Sequence, residues 1–252
     1  MKKRKKQHIF TAILLVLVLV AAFSLYQIIS ETLRGIREEK AFVQLSEQVA
    51  AAALENADRP EGEQPSKYAG IKSLNEDFYG WLSIENTIVD YPVMFTPDDP
   101  EYYLHRAFDK SDAHSGTLFM DGNCYEGCGN YIIYGHHMKN GTMFGVLPKY
   151  AEKMYWEKNP TICFDTLNEH GEYEIIAAFY GKAVAQGDSG FSYYQYTDLT
   201  DRKSFEDYIS QVKAAAIYDT GITAEYGDEL ITLSTCSYHT TDGRFVVVAR
   251  KY

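Results

Sequence analysis

Three reactive side chains stand at the ends of segments that the sequence predicts to be β-strands. Cys236 ends the run Leu230–Cys236, Arg244 follows eight residues later at the start of another run, and His136 comes directly after residues 131–135. Cysteine supplies a nucleophile, histidine a proton shuttle, and arginine a fixed positive charge for an oxyanion. Strand ends allow such side chains to converge on one cleft. Together they favour cysteine-based acyl transfer over the alternative, a buried thiol that only packs.

The alternation of side chains along a strand decides which neighbours share the face of Cys236. Ser234 lies on the same face and is a candidate hydrogen-bond donor to a bound peptide, with an ordinary strand serine as the alternative. Thr235 faces the other way, and we also expect it to contribute to substrate binding. Arg244 opens the return strand of the same hairpin, so strand pairing can place it beside Cys236. An exposed arginine at a strand start is the alternative.

Two adjacent histidines compete for the role of proton shuttle. His136 directly follows Gly135 where the strand ends, whereas His137 is predicted to point away. The other five histidines lie near the N-terminus or in segments of loop-like composition: His8, His105, His114, His170 and His239. We therefore predict that His136 is the general acid and base.

Four segments carry a resemblance to a known family. Thr232-Leu233-Ser234-Thr235-Cys236 resembles the TLxTC signature of sortases, the cysteine transpeptidases that attach proteins to Gram-positive cell walls. Three further segments resemble the class B branch: Gly80-Trp81-Leu82 leading into Asp90-Tyr91-Pro92-Val93, Gly116-Thr117-Leu118-Phe119-Met120-Asp121, and Tyr134-Gly135-His136-His137-Met138. They occur in the family's order within residues 70–252. The resemblance implies a catalytic triad of Cys236, His136 and Arg244. The residue after the cysteine is often acidic in relatives, but here it is Ser237.

The N-terminus has the pattern of a membrane anchor. The basic cluster Lys2-Lys3-Arg4-Lys5-Lys6 precedes an apolar run over residues 9–29, and a membrane-spanning helix needs about 20 residues. The positive charges predict a cytoplasmic N-terminus and a single pass, with the rest of the chain outside the cell. A signal peptide cleaved near Val20-Ala21-Ala22 is the alternative, but the apolar run is longer than usual for such a peptide.

The net charge bears on which partners the chain can bind, and the cysteine content bears on disulfides and metal sites. Without the five cations of the basic cluster, 19 basic and 35 acidic residues remain, a net charge of −16 that argues against nucleic acid as a partner. Cys236 must stay reduced as a nucleophile, which leaves Cys124, Cys128 and Cys163. The Cys124-x3-Cys128 pair is either a local disulfide or a loop feature. No second Cys/His pair has matching metal-ligand spacing, so we predict no metal and no cofactor.

The chain is predicted to be mainly β, with a closed eight-stranded barrel of the sortase type. Residues 1–30 form the basic tail and anchor, 31–69 a helical stalk and linker, and 70–252 the catalytic domain. Eight short strands are rich in Ile, Val, Tyr, Phe and Thr: 80–84, 89–94, 117–120, 131–134, 161–165, 172–181, 229–236 and 244–252. A helix over 205–217 precedes the cysteine strand and is expected to wall the cleft, with Ser204 or Thr200 as its cap. Its predicted face consists of Phe205, Tyr208, Ile209, Val212 and Ala216.

The resemblance to sortases implies that the protein transfers surface proteins to the cell wall. Cys236 cleaves a C-terminal sorting signal through a thioester, and an amine of the peptidoglycan cross-bridge or another acceptor releases the acyl group. The alternatives are a cell-wall cysteine peptidase of the papain-like kind, which typically presents its cysteine at a helix N-terminus, and a non-catalytic surface β-domain. The sequence leaves open the sorting motif, the acceptor amine and the oligomeric state.

Overall fold

The structure of this protein is a computed structural model that describes residues 2–57, 66–182, 190–237, 240 and 242–252. Residues 58–65 of the predicted stalk and linker and the loop histidine His239 lie outside these residues. The chain divides into two compact units, one ending at Ala41 and the other covering Phe42–Tyr252. Helix α1, Lys2–Ala57, contributes residues to both units.

The first unit is the N-terminal part of helix α1. Among the described residues, α1 is the helix that is long and apolar enough to cross a membrane. Its large apolar side chains over residues 13–20 are all exposed. A helix that is apolar all round and faces no protein core is suited to a lipid environment. The side chains of residues 2–6, the basic cluster, lie outside the described part of the chain.

The part of α1 from Phe42 onward belongs to the second unit and packs within it. Phe42, Leu45 and Val49 are buried, and the Phe42 ring meets the edge of Tyr91 at 5.3 Å. Their spacing places them on one helix face. This face of the helix is therefore packed, whereas Val43 and Leu54 are exposed.

Eight strands form a closed barrel, as the sequence predicts. In chain order they are β1 Phe78–Ser83, β2 Asp90–Met94, β3 Leu118–Met120, β4 Asn130–Tyr134, β5 Thr161–Thr166, β6 Glu172–Lys182, β7 Leu230–Cys236 and β8 Gly243–Lys251. Around the barrel the order is β1-β2-β3-β4-β7-β8-β6-β5. The β2–β3 and β4–β7 pairs are parallel and the others antiparallel. Closure leaves each strand with two neighbours, which removes exposed edges.

Side-chain alternation along β7 and β8 builds two cores. Ile231 and Leu233 join the main core, together with Phe245, Val247 and Ala249 of β8. The intervening residues Leu230, Val246 and Val248 lie in a second core outside the barrel wall. The alternation predicted for β7 is therefore confirmed. Cys236 continues the face that belongs to the second core.

The other α-helices in the described part of the chain are α2 Ala69–Leu74, α3 Lys153–Lys158 and α4 Arg202–Ala215. Helix α4 covers the second core with the face that the sequence predicts, because Phe205, Tyr208, Ile209 and Val212 are buried. The prediction of its cap is wrong. Asp201 is the N-cap and accepts a hydrogen bond from the backbone of Ser204, which lies inside the first turn. A carboxylate at this position satisfies helix N–H groups that otherwise lack a partner.

Candidate active site

Strand β7 lies between β4 and β8, and this arrangement brings the predicted site residues together. Cys236 at the end of β7 pairs in register with Arg244 at the start of β8. On the other side β4 runs parallel to β7, and Tyr134 pairs with Ser234. Parallel strands end at the same edge of a sheet, so the residues that follow Tyr134 leave the barrel where Cys236 does. The sequence prediction that strand ends converge is confirmed for these three strands.

Gly135 links the end of β4 to His136. Its N–H donates to the carbonyl of Ser234 at 3.2 Å, and its own carbonyl accepts a hydrogen bond of 2.7 Å from the Thr235 hydroxyl. A Cβ at Gly135 would lie 2.4 Å from a methyl carbon of Leu118 and 2.8 Å from the Phe144 ring. Contacts this short would force Leu118 or Phe144 to move. The glycine before His136 therefore lets the chain pass close to Leu118 of β3 and to Phe144.

The imidazole of His136 is fixed by a backbone acceptor. Its Nε2 lies 2.8 Å from the carbonyl oxygen of Leu104, and its ring stacks on that of His105 with centroids 5.2 Å apart. Burial lowers the pKa of His136 below the ordinary histidine value; the Leu104 carbonyl opposes this, and the imidazoles of His105 and His114 add to it. A neutral ring that donates its Nε2–H to Leu104 keeps Nδ1 as a proton acceptor.

His137 does not point away from the cysteine, and that prediction is wrong. Its Nδ1 lies 3.0 Å from the backbone carbonyl oxygen of Cys236. The strand ends at Tyr134, so the alternation on which the prediction relied no longer applies. A bridge to Met143 holds the backbone of His137 instead. His137 thus contacts the main chain of the cysteine, whereas His136 is anchored to Leu104.

The two substrate-binding candidates, Ser234 and Thr235, are buried. The hydroxyls of Ser234 and Tyr193 share a hydrogen bond of 2.7 Å, and the Thr235 hydroxyl is used by Gly135. Both side chains therefore have partners inside the protein. Their contact with substrate stays a prediction, and their positions favour a role in fixing the end of β7.

Tyr193 also lies at this site, although no sequence pattern indicates it. It belongs to a 3₁₀ turn, Tyr193–Gln195, that lies against the cysteine end of β7. Burial raises its pKa to about 12, and the positive charge of Arg244 opposes this while Cys236 adds to it. The phenol is thus within electrostatic range of both residues. Helix α4 contacts β7 further from the cysteine, because Tyr208 bonds to Thr232.

Cys236 and Arg244 differ in exposure from their neighbours on the two strands. The Cys236 side chain is exposed, whereas Leu230 to Thr235 are buried, and Arg244 is half-buried. One guanidinium N–H of Arg244 donates to the carbonyl of Gly243 at 3.1 Å. A guanidinium carries five donors in a planar fork, so others can serve a substrate oxygen. An accessible sulfur beside a fixed cation is the arrangement that nucleophilic acyl transfer requires.

Comparison with known proteins supports the same assignment. The sequence profile of the sortase domain matches residues 82–252. Sortase B of Listeria monocytogenes is 36% identical over 177 residues, which cover 69% of each chain. The chain belongs to the sortase family. Sortase B of Staphylococcus aureus is 26% identical over 253 residues, 98% of each chain. A solved Staphylococcus aureus sortase B-substrate complex superposes with a TM-score of 0.73 at 22% identity, covering 87% of this chain and 98% of the other.

The family assignment explains why the sequence motifs occur in order. The class B segments lie on β1, β2, β3 and β4, and the cysteine segment on β7, five strands that are consecutive around the barrel. Trp81 of β1 pairs with Pro92 of β2, so two motif segments contact each other directly. The reaction class of this sortase is cysteine-based transpeptidation. Ser237, which replaces the acidic residue expected after the cysteine, is buried at the start of the β7–β8 turn.

The other cysteines lie away from the end of β7. Cys124 and Cys128 are buried, free thiols whose sulfur atoms lie 3.6 and 3.4 Å from the same carbonyl oxygen, that of Asn130. Cys163 is on β5 and is half-buried.

Leu104 and Tyr193 complete the site, and only long-range packing reveals them. No sequence spacing connects Leu104 to His136, because the contact spans 32 residues.

Proposed function

We propose that this sortase is a membrane-anchored transpeptidase that cleaves a C-terminal sorting signal and transfers the surface protein to an amine of the cell wall. Cys236 is the nucleophile, His136 the general acid and base, and Arg244 the oxyanion-binding residue. The observation that carries the proposal is the register of β4, β7 and β8, which supports convergence of the three residues at one barrel edge.

The acylation step begins with the neutral imidazole of His136. It accepts the proton of the Cys236 thiol, and the sulfur attacks the scissile carbonyl of the sorting signal. The developing oxyanion is stabilised by N–H groups of the Arg244 guanidinium. Collapse of the tetrahedral intermediate breaks the peptide C–N bond, and His136 returns its proton to the departing amine. The product is a thioester on Cys236 and a free peptide amine.

Deacylation reverses these proton movements. His136 removes a proton from an incoming amine, whose nitrogen attacks the thioester carbonyl. The thiolate of Cys236 leaves and recovers the proton, so the enzyme returns to its starting state. Water can replace the amine, and the enzyme then acts as a thiol-dependent hydrolase. Exclusion of water by a bound acceptor decides between the two outcomes.

Ser234 and Thr235 contribute to substrate binding by fixing the strand end that carries the nucleophile. Thr235 ties β7 to Gly135, and Ser234 ties it to Tyr193. Precise placement of reacting groups accounts for a large part of catalysis in acyl transfer.

The apolar segment of α1 anchors the domain at the membrane, with the catalytic unit on the outer side where surface proteins and wall peptides meet. The net negative charge of the chain argues against nucleic acid as a partner.

Acyl-enzyme trapping tests the proposal. The full-length chain, purified in detergent, is incubated with a panel of sorting-signal peptides and analysed by mass spectrometry, with and without a short amine acceptor. We expect a thioester on Cys236 that disappears when the amine is added, together with a new amide product. Cys236→Ala removes the adduct while circular dichroism shows an intact fold. Cys124→Ala, which removes a thiol remote from the site, retains it.

Adduct formation on another residue, or product formation by Cys236→Ala, contradicts the assignment. A papain-like peptidase gives hydrolysis that an added amine does not divert. A non-catalytic surface domain gives no adduct with any peptide of the panel. The geometry speaks against the papain-like alternative, because Cys236 ends a strand and does not begin a helix.

A further inference from the structure

A second cluster of reactive side chains lies on the outer face of strand β5. Ile162 and Phe164 point into the main core, so Cys163 and Asp165 at the alternate positions face outward. His170, in the turn to β6, reaches the same place. Glu172 opens β6 as the register partner of Cys163, which puts its side chain on the same face. Around the barrel, β6 and β8 separate this strand from β7 and the proposed active site.

The three side chains converge on one oxygen atom. The Asp165 Oδ1 atom lies 3.4 Å from the Cys163 sulfur and 2.6 Å from His170 Nδ1, and the sulfur lies 3.9 Å from the same nitrogen. One sulfur, one imidazole nitrogen and one carboxylate oxygen are thus within 4.8 Å of one another. The ligands of a tetrahedral zinc ion are about 3.3–3.6 Å apart, from bond lengths of about 2.0–2.3 Å. The oxygen–sulfur separation of 3.4 Å falls within that range, and the sulfur–nitrogen separation of 3.9 Å exceeds it by about 0.3 Å.

The surroundings of the cluster orient the ligand atoms. The other carboxylate oxygen of Asp165, Oδ2, accepts hydrogen bonds from the Tyr68 hydroxyl at 2.7 Å and from Lys67 Nζ at 2.8 Å. These two partners turn Oδ1 toward Cys163 and His170. His170 Nε2 lies 3.5 Å from a Glu172 carboxylate oxygen. A metal-bound histidine usually donates its other ring N–H to a carboxylate, which fixes the ring and strengthens the ligand.

We propose that Cys163, Asp165 and His170 form a binding site for a divalent cation of the zinc class. Thiolate, imidazole and carboxylate are the ligands that zinc prefers, and three of them leave one position for water. Binding requires His170 Nδ1 and Asp165 Oδ1 to separate by less than 1 Å, as the ion replaces the hydrogen bond between them. His170 is largely exposed and the Asp165 side chain is held in place, so the imidazole supplies this movement.

Such a site braces the β5–β6 hairpin, because Cys163 and Asp165 are on β5 and His170 is in the turn to β6. Asp165 is buried and bound to Tyr68, whose ring stacks on Trp81 of β1 at 6.0 Å. This hydrogen bond links the braced hairpin to the segment that precedes α2. The spacing Cys-x-Asp-x4-His lacks a second Cys/His pair, which is why the sequence pattern predicts no metal.

Cobalt substitution tests the site in the full-length protein in detergent. Cobalt(II) bound by a thiolate gives an intense ligand-to-metal charge-transfer band, which reports sulfur ligation independently of activity. We expect one equivalent to produce this band, zinc to displace the cobalt, and the dissociation constant for zinc to be micromolar or tighter. Cys163→Ser removes the band and Glu172→Gln weakens binding about 10–100-fold. His170→Ala, a substitution at an exposed position, reports on the site even if Cys163→Ser folds poorly.

Two variants with other thiols removed are the matched controls. Cys236→Ser and Cys124→Ser each delete a thiol outside the cluster, and both retain the band and the affinity. Zinc raises the Tm of these two variants and of the wild-type protein, and leaves that of Cys163→Ser unchanged. A band that survives Cys163→Ser or vanishes in either control assigns the metal to another thiol. Zinc binding weaker than millimolar shows a hydrogen-bonded cluster without a metal function. Either result overturns the proposal.

Discussion

The Nε2 atom of His136 lies 2.8 Å from the carbonyl oxygen of Leu104, so a backbone group of the 3₁₀ helix Tyr102–His105 fixes the proposed acid and base of this sortase. A carbonyl accepts only, so the neutral ring carries its proton on Nε2 and leaves Nδ1 for the chemistry. Burial stabilises this neutral form. The resting enzyme thus holds His136 ready to accept a proton.

The lowered pKa of His136 predicts activity that persists in mild acid. Acylation needs the neutral ring, which is lost only as the pH falls through the pKa of the folded protein. Burial places that pKa below the ordinary value of about 6.5, so the acidic limb of kcat/KM for a peptide without titratable groups lies below pH 6.5. The His105 imidazole contributes to the lowering, so His105→Gln moves the limb to higher pH. A wild-type limb above pH 6.5 contradicts the assigned protonation state.

Arg244→Lys is expected to be far more damaging than its conserved charge suggests. A guanidinium holds a substrate oxygen and an oxyanion with one planar fork of donors, whereas an ammonium is a single point charge. Loss of one such transition-state contact typically reduces the rate about 10²–10³-fold. Single-turnover acylation measures this change. Arg250→Lys, at the far end of the same strand, is the matched control and retains activity. Near wild-type acylation by Arg244→Lys removes Arg244 from the mechanism.

Two buried tyrosines that bond to alternate residues of β7 allow stability to be separated from catalysis. Tyr193 bonds to Ser234, and Tyr208 bonds to Thr232. Each Tyr→Phe substitution removes one buried hydrogen bond and costs about 1 kcal/mol in the free energy of unfolding. Tyr193 is also near Arg244 and Cys236. We expect Tyr193→Phe to lower kcat/KM about tenfold, as loss of about 1.4 kcal/mol of positioning implies, and Tyr208→Phe to leave it nearly unchanged. If both substitutions change kcat/KM equally, Tyr193 has only a packing role.

The topology of the anchor is tested on intact cells. A basic cluster before a long apolar helix predicts that the catalytic unit is outside the membrane. Protease added to wall-stripped cells should digest the catalytic unit, and the mature protein should retain residues 1–30 by mass spectrometry. A cytoplasmic protein followed in the same samples controls for cell lysis. Full protection reverses the predicted orientation, and a mature chain that begins after Ala22 indicates a cleaved signal peptide.

Local pattern was sufficient to predict the strands, because alternation and β-branched content are properties of neighbouring residues. The predicted start of β7 differs from the observed one by one residue, and the buried face of α4 is as expected. Contacts that depend on tertiary structure were not predictable. His137 turns to the Cys236 carbonyl only because the strand has ended, and Tyr193 meets Ser234 across 41 residues of sequence. Asp201 was missed as the cap because Ser204 has similar capping chemistry.

Substitution of either Cys236 or His136 is expected to remove nearly all thioester formation, whereas substitution of His137 is expected to have little effect. If both residues serve one acyl transfer, Cys236→Ala abolishes thioester formation and His136→Ala nearly does so. The double variant is then scarcely worse than Cys236→Ala alone, because groups that act as a unit do not contribute additively. His137→Ala loses one hydrogen bond to the Cys236 backbone and retains most activity with a similar pH profile.

Single-turnover acyl-enzyme formation on a sorting-signal peptide, followed for all four variants, separates the two histidines. His137 is the matched control for His136, since it is the same residue type one position away and also lies beside the end of β7. If the His136→Ala variant is active and the His137→Ala variant is inactive, His137 is the acid and base and His136 is not. In that case the imidazole bonded to the Cys236 carbonyl, rather than the one anchored on Leu104, carries the proton.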